Sequence, residues 1–342
     1  MRRTLVTLTV STLLAPWAAI SAETLYVAGP GGSFQKTFEE KVIPGFEARS
    51  GAKVVYVPGS SSDTVAKLMA QKGRQDLSFI AIDSGPMARA VEQDLCAPLP
   101  TVPALDDLYP NARIPGGRAV GYGFYATGLG YNKAVFAKNG WAAPTSWNDL
   151  GDPKFKGKIS IGPISGYGVE ALVMVARANG GSEKNIEPGF QVMAKKVAPN
   201  VLDWEPSQAT LSQRFQSGEA ALVVWSNARV QLVVDQGAPV AFVYPKEGAR
   251  EGLMTACVVN GAPQPKLAQQ FLADILSPAT QVTLAKYSGY GPTNAKVKLD
   301  PDVARTVVYG SDRVNALVPI DWSVINKQLP EWTKRWNREV ER

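Results

Sequence analysis

Histidine is absent from the 342-residue chain. That absence removes Ser-His-Asp triads, histidine metal clusters and imidazole proton shuttles from the available chemistries. Cysteine is nearly as scarce: Cys96 and Cys257 are the only two, too few for a four-thiolate zinc site. An oxidising compartment allows them at most one internal disulfide, and the sequence leaves open whether they pair or stay as two buried free thiols. The 36 Lys and Arg residues, against 30 Asp and Glu, are scattered without a run of five or six. A solvated surface, not a nucleic-acid interface, is therefore expected. Past the N-terminus no stretch is long and apolar enough to cross a bilayer. Internal repeats and low-complexity tracts are missing too, and glycine and proline fall at turns.

What is present begins with Met1, Arg2 and Arg3 ahead of an apolar run over residues 5–20, closed by Ser21 and Ala22 before Glu23. A charged start, a short apolar core and small closing residues are the layout of a secretory signal peptide, with cleavage expected after Ala22. The core contains Pro16 and is shorter than the roughly 20 residues of a spanning helix, and no cysteine near the cut invites a lipid. Loss of Arg2 and Arg3 leaves 34 basic residues against 30 acidic, a mildly basic mature chain of net +4. Its length, about 320 residues, exceeds what one hydrophobic core usually serves and favours two lobes.

Strand and helix signals alternate from the start. "TLYVA" breaks at "GPGGS" and passes into a segment whose Phe34, Phe38, Val42 and Phe46 recur at helical spacing. "KVVYVP", "GSSSD" and "TVAKLMAQKG" repeat the strand–turn–helix order, with Gly73 as the expected stop, and "DLSFIAID" leads into "MARAVEQDL". Three such units in series predict an open α/β sheet, mainly parallel, with helices on both faces. The aromatic, glycine-rich residues 120–136 read as extended chain crossing between lobes. A second set of units follows, built on "KISIG", "EAALVVWS" and "PVAFVYP", before "LMTACVVN" returns. The end of the chain is helical, interrupted at Pro278 and Trp-rich from Asp321 onward.

In an open parallel sheet, ligands bind beyond the carboxyl ends of the strands, where successive loops converge. Here those loops share a chemistry. Gly32 and Ser33 follow the first strand, Ser61 and Ser62 the second, Ser84 the third, and Ser165 a strand of the second half. Each precedes a helix, so amides and hydroxyls there present partial positive charge, each terminus contributing roughly 0.3–1 kcal/mol toward an anionic group. Serine before a helix is also the ordinary N-cap, and glycine the ordinary turn residue. None of the loops matches a phosphate-loop or dinucleotide fingerprint. Phe34, Tyr122, Tyr125, Tyr167, Trp225 and Tyr290 are candidate ring contacts for an organic solute, and each is equally at home in a core. The charged candidates are Asp83 at a strand end and Glu170 and Arg229 in the first turns of helices. Arg229 could fork onto a carboxylate or phosphate, or pair at the surface.

Four segments together resemble the spermidine/putrescine-binding branch of the ABC-transporter periplasmic binding proteins: "GLGYN" from Gly128, "WSNARVQLVVDQGAPV" from Trp225, "GYGPTN" from Gly289 and the ending "DWSVINKQLPEWTKRWNREV". The resemblance spans essentially the whole mature sequence. It implies an α/β, two-lobed, type II periplasmic binding fold, each lobe a mainly parallel sheet flanked by helices and joined by a hinge of crossing strands. The lobes are expected at 23–126 with 252–310 and at 127–251, with 311–342 packing across both. It further implies a periplasmic monomer that captures a small molecule, an ABC permease as partner and no cofactor. Of the positions with which polyamine binders hold their cation, Trp225 looks like the retained ring and Glu170 like a retained acid. The companion acid one turn earlier is replaced by Tyr167, and the acid of the return crossing by Thr255. Related ferric-binding proteins use adjacent tyrosines with His or Glu; here Tyr287 and Tyr290 are separated and histidine is missing, so no metal is expected.

A polyamine in a low-dielectric cleft needs matching carboxylates. The Gly/Ser loops and Arg229 point instead to a solute with an anionic group, such as a zwitterion, a carboxylate or a phosphonate. The alternatives are a true putrescine or spermidine binder, an enzyme on the same scaffold with Cys96 or Cys257 as nucleophile and Asp83 or Glu170 as base, and a receptor feeding a membrane sensor.

Overall fold

The computed structural model describes residues 22–205 and 207–341, so the expected leader, Ala22 apart, lies outside the described residues. The chain runs β1 (Thr24–Gly29), α1 (Ser33–Thr37), α2 (Ile43–Ser50), β2 (Lys53–Pro58), α3 (Ser61–Ala70), β3 (Phe79–Asp83), α4 (Ser84–Glu92), then the long β4 (Val120–Asn132). It continues with α5 (Lys133–Lys138), β5 (Ile159–Ile161), α6 (Tyr167–Ala178), α7 (Glu187–Val192), β6 (Val201–Trp204), α8 (Gln208–Ser217), β7 (Leu222–Ser226), α9 (Asn227–Asp235) and β8 (Val240–Val243). The return strand β9 (Arg250–Val258) precedes α10 (Pro265–Ile275), α11 (Pro278–Ser288), α12 (Pro301–Thr306), α13 (Ser311–Asn315) and α14 (Trp322–Glu339). The helix expected from Phe34 is one helical stretch with a π-turn at Phe38–Val42 joining α1 to α2. Pro278 begins a helix and does not merely interrupt one, since its missing N–H falls where no intrahelical bond is needed.

All strands belong to one sheet in the order β2-β1-β3-β9-β4-β7-β5-β6, with β8 also on β4. The outer pairs of each half are parallel: β1 with β2 and β3, and β5 with β6 and β7. β4 and β9 pair with their neighbouring strands of the sheet, and with each other, in antiparallel fashion. The fold is thus α/β and two-lobed, with two parallel halves joined by two crossing strands. Thirteen residues at about 3.3 Å each let β4 pair with β9 over Val120–Thr127 and with β7 over Thr127–Tyr131. Glycine in this crossing serves close approach: a Cβ on Gly128 would lie 2.6 Å from the Val243 carbonyl oxygen.

Each half has apolar clusters on both faces of its sheet, as strands buried on both sides require. In the first half Phe34, Phe38, Phe46, Phe79 and Phe271 fill one face, and Val65, Leu68, Ile80, Ile82 and Met87 the other. In the second, β7 divides its residues by the period of two: Leu222 and Val224 join Trp147, Phe155, Trp332 and Trp336 on one face. Val223 and Trp225 join Leu211, Phe215, Val230 and Val233 on the other. Cys96 and Cys257 are both fully buried and form a disulfide, their Cα atoms 5.7 Å apart, which resolves the open alternative in favour of the pair.

Helix α14 contributes Ile325, Trp332 and Trp336 to the second half's core while its first turns touch the first half. Asn326 Nδ2 donates to the Gly85 carbonyl at 2.9 Å. Gly85 permits the approach, because a Cβ there would lie 2.8 Å from the Trp322 ring.

Candidate functional site

The loops that leave β1, β2 and β3 face those that leave β5 and β7 across a cavity of about 530 Å³. Three of the helices that begin there carry hydrogen-bonding or acidic N-caps. Ser60 Oγ accepts from Asp63 N at the start of α3, Asp83 precedes α4, and Ser226 Oγ accepts from Arg229 N at the start of α9. The other two, α1 and α6, follow Gly32 and Gly166 with no side-chain cap. First-turn amides have no intrahelical acceptor, so these helix ends aim partial positive charge at one space.

A hydrogen-bonded chain crosses the floor of this space. Ser61 Oγ donates to Asp83 Oδ2 at 2.8 Å, and the Tyr125 hydroxyl donates to Asp83 Oδ1 at 3.0 Å. Arg250 Nη2 donates to the Tyr125 hydroxyl at 3.4 Å and forms an ion pair with Glu170 Oε1. Both oxygens of Asp83 and one of Glu170 are thereby engaged. Glu170 Oε2 is buried with no protein donor. Arg250 is 1% exposed and Glu170 7%, so each ion needs the other: separating either would strand a buried charge.

Arg229 is different. It is half-buried and lines the cavity, and its guanidinium has no ion-pair partner among the described residues. Its charge is felt by Tyr167 and Tyr290, whose phenols burial pushes up and Arg229 pulls back down. Burial also raises the Tyr125 phenol well above 10, with the Asp83 charge adding and Arg250 opposing. The three cavity tyrosines are therefore neutral phenols at physiological pH.

Of the residues singled out from the sequence, Ser33, Phe34, Ser61, Ser62, Asp83, Ser84, Tyr125, Ser165, Tyr167, Glu170, Arg229 and Tyr290 line the cavity. Gly32, Trp225 and Thr255 lie outside its lining and correct the expected set. Gly32 is the exposed residue before α1, with φ of 72°, and serves the turn. Trp225 shares a strand face with Val223 and packs beneath α8 and α9, where its ring edge meets Phe215. Thr255 is fully buried and donates to the Ile82 carbonyl at 2.6 Å, tying β9 to β3. Tyr122, another ring candidate, is a core residue, 1% exposed.

The sequence reading missed Arg89, Gln208, Arg250, Trp322 and Asn326, all of which line the cavity. Arg250 sits in the unremarkable run "GARE", where nothing local distinguishes a buried arginine from a solvated one. Trp322 and Asn326 were legible as part of a Trp-rich terminal helix, but not as cavity residues, because that placement depends on where α14 docks.

The family model for bacterial extracellular solute-binding proteins matches residues 41–308. A spermidine/putrescine-binding periplasmic protein of Escherichia coli K12 is 28% identical over 284 residues, 78% of this chain and 79% of the relative. A gamma-aminobutyric acid-binding protein of Pseudomonas aeruginosa PAO1 is 23% identical over 290 residues, 81% of this chain and 79% of the relative. The structure of the periplasmic binding protein AfuA from Actinobacillus pleuropneumoniae, with exogenous fructose-6-phosphate bound, superposes with a TM-score of 0.78. At 21% identity, covering 94% of this chain and 99% of that one, it shows a shared fold.

Proposed function

Because the chain belongs to the bacterial extracellular solute-binding protein family, we propose that it is the periplasmic binding component of an ABC importer and that it captures a small organic solute bearing an anionic group. The observation that carries the ligand class is the unpaired guanidinium of Arg229 at the start of α9, in a cavity whose two acids are already engaged. A guanidinium fork and converging helix N-termini suit a carboxylate, phosphate or phosphonate. Glu170 Oε2 remains as an acceptor for a donor elsewhere on the solute, which accommodates a zwitterion.

The lobes of this reading are 23–126 with 252–310 and 127–251, closing about β4 and β9, with α14 bridging them. The protein acts as an exported monomer with its leader removed after Ala22, and its macromolecular partner is an ABC permease.

A polyamine finds less here. Putrescine or spermidine, each with more than one positive charge, would meet Arg229 and Arg89 against a Glu170 already paired with Arg250 and an Asp83 whose oxygens Ser61 and Tyr125 hold, and an unmatched buried charge is costly. A cysteine-dependent enzyme lacks its nucleophile, since the two sulfurs are bonded to each other. Native mass spectrometry of protein purified without denaturation should reveal an acidic or zwitterionic solute. Calorimetry on unfolded, ligand-stripped and refolded protein should then show tight binding of that solute. Tight binding of putrescine or spermidine, with none of acidic or zwitterionic compounds, would reject the reading.

A further inference from the structure

Building on the proposed cleft function, we propose that Arg250 is a tethered cation that fills a cation-binding box in the cleft and thereby excludes cationic solutes. The box has three walls from separate segments. Glu170 of α6 supplies the carboxylate. The Tyr125 ring of β4 lies with its centroid 5.2 Å from the guanidinium carbon, and the Trp322 ring of α14 at 5.8 Å. A carboxylate with two aromatic faces within about 6 Å is the arrangement that recognises an organic cation. Here the cation arrives on the first residue of β9.

The consequence is a reversal of selectivity. Were the guanidinium removed, Glu170 would face the cavity uncompensated, and the vacated volume would join the space that Arg250 already borders. With it in place, Glu170 is neutralised, Asp83 keeps its charge but has both oxygens occupied by the hydroxyls of Ser61 and Tyr125, and Arg229 and Arg89 leave the lining residues net positive. An incoming ammonium or guanidinium therefore meets two occupied acids and two arginines. The sign of the accepted solute is decided by one residue outside the loops that carry the helix N-termini.

The test uses the full mature chain, stripped and refolded, as wild type, Arg250→Ala and Arg250→Ala/Glu170→Gln, with ethylguanidinium and putrescine as probes. Calorimetry should show Arg250→Ala binding ethylguanidinium at least about tenfold more tightly than wild type, as a charged hydrogen bond and two ring faces allow. Its thermal midpoint should rise with the probe, and both gains should vanish in the double variant. Equal probe binding by the single and double variants overturns the proposal, as does a single variant that gains nothing from either probe. Should Arg250→Ala fail to fold alone, refolding yield with and without ethylguanidinium is the readout; a yield that the probe does not raise overturns it. Wild-type affinity for anionic solutes plays no part in this comparison, so failure of the cleft reading and failure of the tethered-cation reading give different results.

Discussion

The indole of Trp225 donates from Nε1 to Gln208 Oε1 at 2.7 Å, linking a core residue to one that lines the cavity. An indole N–H can only donate. The amide oxygen of Gln208 is therefore held toward Trp225, and its NH2 is left to serve the cavity as a donor of fixed orientation.

Trp225→Phe should keep the core filled but free the amide to rotate. Affinity for the co-purifying solute should fall by the net value of one hydrogen bond, about 1 kcal/mol or roughly fivefold. Gln208→Ala should cost the same, and the double variant no more than either alone, because both act through one NH2 group. Calorimetry on the three variants checks this; additive losses would mean the two residues act independently.

Arg229→Ala should weaken binding of anionic solutes by about tenfold to a hundredfold, the range of a hydrogen bond to a charged group. Since this guanidinium has no ion-pair partner among the described residues, the thermal midpoint should barely move. A large drop in stability with unchanged affinity would assign Arg229 a structural role.

The phenols of Tyr125, Tyr167 and Tyr290 all titrate above their ordinary value of 10.0, chiefly through burial. The folded state thus holds these protons more tightly than the unfolded chain. Their contribution to stability is complete below about pH 10 and is lost as pH rises further. Ultraviolet titration should show the phenolates of these three cavity tyrosines appearing only as the protein unfolds.

The Cys96–Cys257 bridge closes a sequence separation of 161 residues, for which chain entropy gives a stabilisation of up to about 5 kcal/mol. Cys96→Ala/Cys257→Ala should lower the urea midpoint accordingly while leaving solute affinity intact, since neither residue lines the cavity. With both residues fully buried, a thiol reductant should add two hydrogens to the intact mass only once the chain is unfolded. Reduction of the native protein at the unfolded rate would show that the bridge is accessible.

The strand–turn–helix series from Thr24 to Glu92 was legible because period two, period 3.6 and the glycine and serine turns all agree locally. Asp83 and Ser61 could be chosen for the site on the same grounds, since each stands where a strand gives way to a helix. Trp225 was chosen by the same logic and lies outside the cavity: its place beyond the strand's centre was readable, but the face it takes follows from its alternation with Leu222 and Val224.

The sequence by itself determined the local elements, the absence of imidazole chemistry and the ring of helix N-termini, because each depends on residues within a turn or two of one another. Tertiary structure alone decided that Cys96 meets Cys257, that Trp322 reaches the cavity and that Arg250 rests on Glu170, 80 positions away. Those are meetings of distant segments whose approach depends on how two halves of one sheet and a terminal helix pack. Burial then gives Arg250 a role that its neighbours in the chain do not reveal.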